Sequence, residues 1–162
     1  MTIVRTEELM QAPGFLLRRC SQIVMAIFLE ETAGHDLTPA QFGALVLIAD
    51  EPGMDQTRLM QLAALDRSSV TNTVERLEKR GLIKRKVDPD DRRARRLSVT
   101  DKGIKMIGDV QAGAQRTQER ILAPLGAKRG AEFIKMLREV ADGNNEASRV
   151  PHRPKKTKRA DA

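Results

Sequence analysis

The stretch 80–103, RGLIKRKVDPDDRRARRLSVTDKG, constrains the fold of this chain most strongly. Two β-prone runs, Leu82–Val87 and Leu97–Thr100, lie on either side of an Asp-Pro-Asp-Asp turn at 88–91. Alternating arms around such a turn predict a short β-hairpin. The return arm begins with four arginines within 92–96, which have little use in a core. This composition favours a hairpin that meets phosphate and enters a narrow, electronegative DNA groove.

The segment before the hairpin, 66–80, predicts a helix with two different faces. At about 100° per residue, Val70, Val74 and Leu77 lie together, and this stripe is expected to face the core. Short polar side chains lie opposite and on the flanks, a surface that suits the major groove, where Asn pairs with adenine and Arg with guanine. The helix residues expected at DNA are Arg67, Ser68, Ser69, Thr71, Asn72 and Arg76. The alternative is an ordinary solvated face, and the arginine-rich hairpin that follows directly favours DNA.

Helices are predicted on both sides of this motif. Thr38-Pro39-Ala40-Gln41 has the composition of a capped helix start, and Asp55 is expected to cap a short helix. An apolar helix is predicted over 15–32, and further helices from Thr100 to about 122 and around 133–141. The wide apolar stripe at 25–29 indicates burial on more than one side. Three glycines in the penultimate helix, at 103, 108 and 113, predict compensation by packing against another subunit.

These elements predict a mainly α fold of the α+β class. A winged helix-turn-helix is expected over 37–100, with a helical dimerisation layer made of 1–36 and 101–145. The remaining segment, 146–162, is expected to be a basic, flexible tail, because six Lys or Arg and one Asp lie in Arg149–Ala162.

Composition limits the possible partners and compartments. The formal net charge is +7, most of it in the tail, which favours an anionic partner. The four aromatic residues are all Phe, so the stacking platforms of single-strand and RNA binders are missing. No apolar run reaches the roughly 18 residues of a membrane span, and the N-terminus does not resemble a secretion signal. The expected compartment is therefore the cytoplasm.

The segment 91–100, DRRARRLSVT, resembles the wing signature of the MarR (multiple antibiotic resistance regulator) family: Asp-x-Arg, three residues, then an alternating apolar strand ending in Thr. The segments LTPAQ at 37–41 and RLEKRGLI at 76–83 also match the layout of that family, and the resemblance covers about 10–142. It implies a transcriptional regulator that acts as an obligate homodimer on a pseudo-palindromic operator in double-stranded DNA. It further implies that Arg93 enters the minor groove, that Asp91 braces Arg93 by an ion pair, and that the remaining wing arginines, Arg92, Arg95 and Arg96, contact phosphate.

The resemblance also implies an effector. The segments FLEE at 28–31 and LTPAQF at 37–42 are similar to regulators of aromatic-acid catabolism, which are mostly repressors. Such a repressor releases DNA when it binds a benzoate- or hydroxycinnamate-type acid or its coenzyme A thioester, and no other cofactor is expected. An anionic ligand needs a cation near an apolar slot. The candidate ligand-binding residues are Phe15, Arg18, Arg19, Gln22, Ile23, Met25 and Phe42, for which ordinary core packing or solvation is the alternative. The basic tail could contact either coenzyme A phosphates or DNA.

Other classes of function remain as alternatives or are excluded. Cys20 offers a thiol-based redox sensor, although its apolar helix and the missing Tyr favour buried packing instead. A winged helix used as a protein-interaction module is a second alternative. Metal sensing is disfavoured because His35 and His152 are far apart in sequence and no His/Cys cluster has ligand spacing. No glycine-rich phosphate loop, Cys-His pair or Ser-His-Asp arrangement is present, so the sequence predicts no catalytic residue and no enzyme.

Overall fold

The computed structural model describes residues 5–89, 91 and 95–154. Within these ranges the chain forms seven α-helices, one two-stranded sheet and two short 3-10 turns, at Ala123–Leu125 and Asn145–Ala147. The helices and strands in chain order are α1 Thr6–Gln11, α2 Pro13–Glu31, α3 Pro39–Asp50, α4 Gln56–Ala63, α5 Arg67–Lys79, β1 Ile83–Val87, β2 Arg95–Val99, α6 Asp101–Leu122 and α7 Gly126–Gly143. The mainly α prediction agrees with this architecture. The short helix α1 was not predicted.

Side-chain caps set the start of the helices in the central motif. Thr38 Oγ1 accepts the Gln41 N–H at 3.2 Å, and Gln41 Oε1 accepts the Thr38 N–H at 3.0 Å, so the predicted capping box at α3 is confirmed. Asp55 Oδ1 accepts the Arg58 N–H at 2.7 Å at the start of α4. After α5, Gly81 has φ +71°, the left-handed conformation that lets the chain leave the helix. These local signals fix where each helix begins and ends.

The hairpin is antiparallel, with pairs running from Ile83 opposite Val99 to Val87 opposite Arg95. It is also joined to the turn between α3 and α4. The Gly53 N–H donates to Leu97 O at 2.8 Å, and the Leu97 N–H donates to Met54 O at 2.8 Å. Both backbone groups of Leu97 are thereby tied to the helical motif, and the buried Leu97 side chain is anchored in the core. The hairpin is thus part of the folded domain and does not project freely from it.

The core lies between α3, α4, α5 and the hairpin. Leu45, Ile48, Leu59, Val74 and Leu77 have no exposed area, and Leu82 and Leu97 join them from the hairpin side. The Phe28 ring brings α2 into this cluster, 5.9 Å from the Phe42 ring. The apolar stripe predicted for 66–80 is confirmed as the buried face of α5.

Two of the three glycines of α6 allow close contacts within the chain. A β-carbon at Gly113 would lie 2.9 Å from Thr32 Cγ2, and closer still to Glu31 O. A β-carbon at Gly103 would lie 2.5 Å from Val99 Cγ1, with Leu82 O nearer. The prediction that a second subunit compensates for these glycines is therefore wrong for Gly103 and Gly113, because α2 and the hairpin pack there. Gly108 is exposed, with open space around it.

Charged groups join α2 to α6 beside the Gly113 crossing. Glu31 accepts hydrogen bonds from Arg116 Nε at 2.7 Å and from Arg120 at 2.8 Å. The Glu31 side chain is only 16% exposed, so these bonds form in a partly desolvated site. The two guanidinium groups, Arg116 first, lower the pKa of Glu31 below its ordinary value. The crossing is thus fixed by both close packing and charge.

Two further predictions concern Cys20 on α2 and the basic tail. Cys20 is exposed on the single chain, so the prediction of buried packing is wrong there. The first part of the predicted basic tail, 146–154, is described, and Arg153 makes hydrogen bonds to α4. Residues 155–162 lie outside the described residues, so the flexibility of the tail stays a prediction. No helix in the described ranges is long and apolar enough to cross a membrane.

Candidate nucleic-acid interface

The outer face of α5 carries short polar side chains in an open position. Ser68 and Asn72 are exposed, as are Arg67 and Arg76 on the flanks. Ser69 and Thr71, also predicted at DNA, are half-buried at the edge of this face. The opposite side is held in the core, so α5 has one orientation relative to the domain. All six predicted helix residues thus lie along one surface or its edges.

The N-terminus of α5 is ordered by Asp66. Its Oδ1 accepts the Ser69 N–H at 2.7 Å and the Ser68 hydroxyl at 2.8 Å. The Ser69 N–H is the largest cause that lowers the pKa of Asp66, followed by the hydrogen bond from Ser68, so the cap is anionic at neutral pH. The Thr71 hydroxyl donates to Arg67 O at 2.9 Å. In this state two hydroxyl hydrogens on the surface are used internally, so contacts to DNA acceptors from Ser68 or Thr71 require these groups to rotate.

The C-terminal end of α5 is tied to its neighbours on three sides. Arg80 donates to the carbonyls of His35 and Asp36 in the loop before α3. Lys102 Nζ, on α6, donates to Arg80 O at 2.8 Å. Glu78 accepts Arg85 Nε at 2.8 Å from β1, and this guanidinium lowers the pKa of Glu78. These contacts couple the orientation of the helix to that of the hairpin.

The two described arginines of β2, Arg95 and Arg96, are exposed. Arg96 forms two hydrogen bonds with Asp88, from Nε at 2.6 Å and from the terminal nitrogen at 3.1 Å. The Arg96 side chain is still 45% exposed, so its outer edge faces solvent. Arg95 and Asp91 are exposed. Arg92 and Arg93 lie outside the described residues, so the predicted ion pair between Asp91 and Arg93 stays a prediction.

A groove of about 740 Å³ runs beside the N-terminal half of α5. One wall is made by Arg67, Ser68, Thr71 and Asn72, and the other by the C-terminal segment. Arg149 and Val150 are the lining residues from that segment, and Met60 and Asp66 complete the lining. Sequence reasoning gave the helix residues and offered the basic tail, which includes Arg149, for either DNA or coenzyme A phosphates. It did not place Arg149 beside α5, because no local pattern signals that the chain returns to α4 after α7.

The seven candidate ligand residues do not converge in the single chain. Arg18 lies over the Phe15 ring, 5.2 Å from its centroid, at the start of α2. Arg19, Gln22, Ile23 and Met25 are exposed on the same helix. Phe42 instead packs against Phe28 and lines an apolar cavity of about 400 Å³ between α3 and α4. The α2 candidates are not among the lining residues of that cavity.

Metal chemistry finds no support in the described part of the chain. No group of three or more His, Cys, Asp or Glu side chains is placed there to hold a metal ion. His35 lies in the loop before α3, and His152 lies in the C-terminal segment.

Known proteins share both the sequence and the architecture of this chain. A family profile described as MarR family matches residues 35–94. The putative transcriptional regulatory protein for the hcr operon of Thauera aromatica is 31% identical over 128 residues, which cover 78% of this chain and 77% of that protein. The predicted family resemblance is confirmed by these matches.

Solved structures agree. The PcaV transcriptional regulator from Streptomyces coelicolor, in complex with its natural ligand, is 33% identical with a TM-score of 0.76, and the match covers 88% of this chain and 98% of that chain. The transcriptional repressor CouR bound to a 23-mer DNA duplex is 32% identical with a TM-score of 0.75, covering 86% and 99%. CouR bound to p-coumaroyl-CoA is 30% identical, again with a TM-score of 0.75, covering 86% and 98%. With this fold, this exposed polar face on α5 and these relatives, the chain belongs to the MarR family of winged helix-turn-helix transcriptional regulators, which are not enzymes.

Proposed function

We propose that this chain is a homodimeric repressor that leaves a pseudo-palindromic operator when it binds a small aromatic anion. The observation that carries the proposal is the exposed polar face of α5, fixed in orientation by Arg80 and by the Glu78–Arg85 pair, beside an arginine-rich hairpin. The likeness to CouR bound to DNA supports it. The proposed place of action is the bacterial or archaeal cytoplasm.

In this proposal α5 is the reading helix, which enters the major groove. The hairpin formed by β1 and β2 is the wing, which enters the adjacent minor groove. Asn72 and Arg76 are the side chains best suited to base edges, since Asn pairs with adenine and Arg with guanine. Arg67, with Ser68, Ser69 and Thr71, serves phosphates or bases at the groove edge. Arg93 is assigned to the minor groove with Asp91 as its brace, and Arg92, Arg95 and Arg96 to phosphate. Arg96 would contact DNA with its outer edge, because Asp88 holds its inner edge.

The proposed dimer uses 1–36 and 101–145. On the single chain, apolar side chains stay exposed on α2 and α7, although their amphipathic faces have the composition of a core. They include Leu17, Ile23, Met25 and Leu29 on α2 and Ile134, Met136 and Val140 on α7. Large apolar side chains exposed in this number on two helices suit an interface between subunits. A second copy would cover it and would set the spacing of the two reading helices.

The proposed effector is an aromatic carboxylate or its coenzyme A thioester. CouR has been solved with p-coumaroyl-CoA, which supports the acyl thioester. Arg18 and Arg19 provide cations next to the apolar side chains of α2 and supply the charge that such an anion needs. Because the candidates on α2 and Phe42 do not meet within one chain, we propose that the site is completed by the dimer. The ligand can release DNA only if it binds more tightly to the dimer when the two reading helices are at the spacing of the free protein than when they are at the spacing of the DNA-bound protein.

The DNA-binding step is tested by fluorescence anisotropy with a duplex selected in vitro from a random pool by the wild-type protein. We expect Arg93→Ala and Asn72→Ala each to weaken binding by about fivefold or more, because each removes a contact of about 1–3 kcal/mol. The control is Arg129→Ala, at an exposed arginine near the N-terminus of α7. Binding that does not weaken between about 50 and 200 mM salt would contradict the proposal, since phosphate contacts release counterions.

The dimer and the effector need separate measurements. Light scattering should give twice the mass of 18.1 kDa. In thermal-shift assays, p-coumarate, benzoate and p-coumaroyl-CoA should be compared with acetyl-CoA, and any stabilising compound should also release the duplex. Stabilisation by acetyl-CoA alone would indicate that the aromatic group is not recognised. DNA release by peroxide in the absence of any acid would favour the redox-sensing alternative through Cys20, and its Cys20→Ser variant should then be insensitive.

A further inference from the structure

The chain after α7 forms a structured C-terminal arm, 144–154, that docks on the helix-turn-helix motif. The Arg153 N–H donates to Gln61 O at 3.1 Å, at the end of α4. Arg58 returns a hydrogen bond from its guanidinium to Arg153 O at 2.7 Å, and its other nitrogens are held by Glu51 at 3.2 and 3.4 Å. Both backbone groups of Arg153 are therefore bound to α4, which fixes the arm beside the DNA-facing motif.

The arm is also braced internally. The Asn145 side chain donates to His152 O at 3.2 Å and accepts the His152 N–H at 2.7 Å. Arg153 forms two hydrogen bonds with Glu146, at 2.6 and 3.0 Å. Ser148 and Val150 exchange two further bonds within the bend. The residues between Asn145 and His152 are thereby closed into a loop, and Arg149 lies near its centre.

This loop places Arg149 next to the reading helix without covering it. Arg149 and Val150 form one wall of the groove whose other wall carries Arg67, Ser68 and Asn72. Ser68 and Asn72 stay exposed with the arm in place, so the arm flanks the helix. Arg149 is itself exposed, and its positive charge helps to lower the pKa of Asp66, the cap of α5 that lines the same groove. A cation held at the edge of a DNA-reading surface has the position of a phosphate contact.

We propose that the C-terminal arm is a third DNA-contacting element, in which Arg149 binds a backbone phosphate beside the reading helix. The inference rests on the proposed DNA-binding function. In sequence, the eight residues after Pro154 carry four Lys or Arg and one Asp, and this positive charge adds to the general attraction for an anionic duplex. The described arm, 144–154, is hydrogen-bonded to α4, which supports a DNA contact for Arg149.

The size of the effect follows from counterion release. Each phosphate contact contributes a slope of about 0.9 in the dependence of log affinity on log salt. A dimer has two arms, so losing Arg149 from both should reduce that slope by about 2. At an ionic strength near 0.15 M we expect Arg149→Gln to weaken duplex binding about three- to tenfold, uniformly across operator sequences.

The experiment titrates the full-length protein with the in vitro selected duplex at several salt concentrations. Arg149→Gln is compared with Arg129→Gln, which makes the same charge change near the N-terminus of α7, the end opposite to the arm. Arg58→Lys keeps the charge but removes the planar fork that holds Arg153 O and Glu51 together. It should release the arm, weaken DNA binding, and speed trypsin cleavage of the exposed Arg149–Val150 bond.

The outcomes separate the inference from the proposed function. Weaker binding and a shallower salt slope for Arg149→Gln, with Arg129→Gln unchanged, support the arm as a DNA contact. Equal affinities for the two glutamine variants would overturn it while leaving the repressor proposal intact. Tighter binding by Arg149→Gln, or by a chain ending at Ser148, would instead identify the arm as a brake on the reading helix. Failure of the wild-type protein to select any duplex would refute both proposals.

Discussion

Replacing Gly113 with alanine should loosen the crossing of α2 over α6. A β-carbon at this position would lie 2.9 Å from Thr32 Cγ2 and nearer still to Glu31 O, whereas ordinary contacts begin near 3.4 Å. The two helices must therefore separate by about 0.5 Å or more. Overpacking of this kind costs about 1–3 kcal/mol, and the better helix propensity of alanine offsets up to about 1 kcal/mol. Because the nearest atom is the backbone oxygen of Glu31, which cannot rotate away, the overpacking cost lies in the upper part of this range, at about 2–3 kcal/mol. With about 1 kcal/mol regained by helix propensity, the expected net loss is about 1–2 kcal/mol.

Gly108 provides a matched control in the same helix. It has open space on the single chain, so Gly108→Ala gains propensity without a clash and should stabilise by up to about 1 kcal/mol. For a chain of this size, 1 kcal/mol corresponds to about 2–4 °C in Tm. Calorimetry at one fixed protein concentration should show a lower Tm for Gly113→Ala, by about 2–8 °C, and an equal or higher Tm for Gly108→Ala. A Gly113→Ala protein that melts at or above the wild-type temperature would refute the close crossing.

Three further predictions concern the winged domain and its link to the terminal helices. Thr38→Ala removes the cap of α3 and should lower the free energy of unfolding by about 1 kcal/mol in urea denaturation. Leu45→Ala, at a side chain with no exposed area, should cost about 2–5 kcal/mol, whereas Val46→Ala, at a 40% exposed neighbour, should cost about 0.5 kcal/mol. Arg116, and then Arg120, lower the pKa of Glu31 in the folded protein below its ordinary value of 4.5. The ionised carboxylate therefore stabilises the fold fully at a pH above 4.5, and this contribution is lost as the pH falls through the lower pKa of the folded state. Glu31→Gln should therefore be less stable than wild type at neutral pH and approach it in acid, measured by denaturation across pH.

Each of these has a contrary result. An unchanged urea midpoint for Thr38→Ala would show that the capping box adds no stability. Equal losses at 45 and 46 would mean that α3 does not face the core as described. Denaturation curves for Glu31→Gln and wild type that stay a constant distance apart from neutral to acid pH would remove the ionised carboxylate as the cause.

Local chemistry made the central motif predictable. The cap at Thr38 is encoded within a few residues and was found as predicted. The left-handed Gly81 that ends α5 is an equally local signal. The two faces of α5 follow from helical periodicity alone, so Val74 was placed in the core and Asn72 on the surface. The hairpin arises from a turn sequence between two alternating runs, and its ends were predicted to within about two residues.

What sequence reasoning missed depends on contacts between distant segments. Gly113 was attributed to a partner subunit because nothing in α6 indicates that Glu31 and Thr32 pack against it. The docking of Arg153 on Arg58 joins residues 95 apart in sequence, and neither segment carries a motif for it. Cys20 was expected to be buried because its neighbours are apolar, yet only Phe28 of α2 reaches the core of the single chain. The position of the ligand site stays a prediction for the same reason, because its candidates belong to different elements.

The backbone bonds from Gly53 and Met54 to Leu97 limit how such a regulator can be switched. A hairpin held only by the bonds between its own two strands could move away from DNA independently of the helices. Here β2 is hydrogen-bonded to the turn between α3 and α4, so the wing and the reading helix move together. If the proposed dimer and effector hold, the effector would act by rotating each winged domain as a whole, so that each half-site contact keeps its geometry while the distance between the two domains changes.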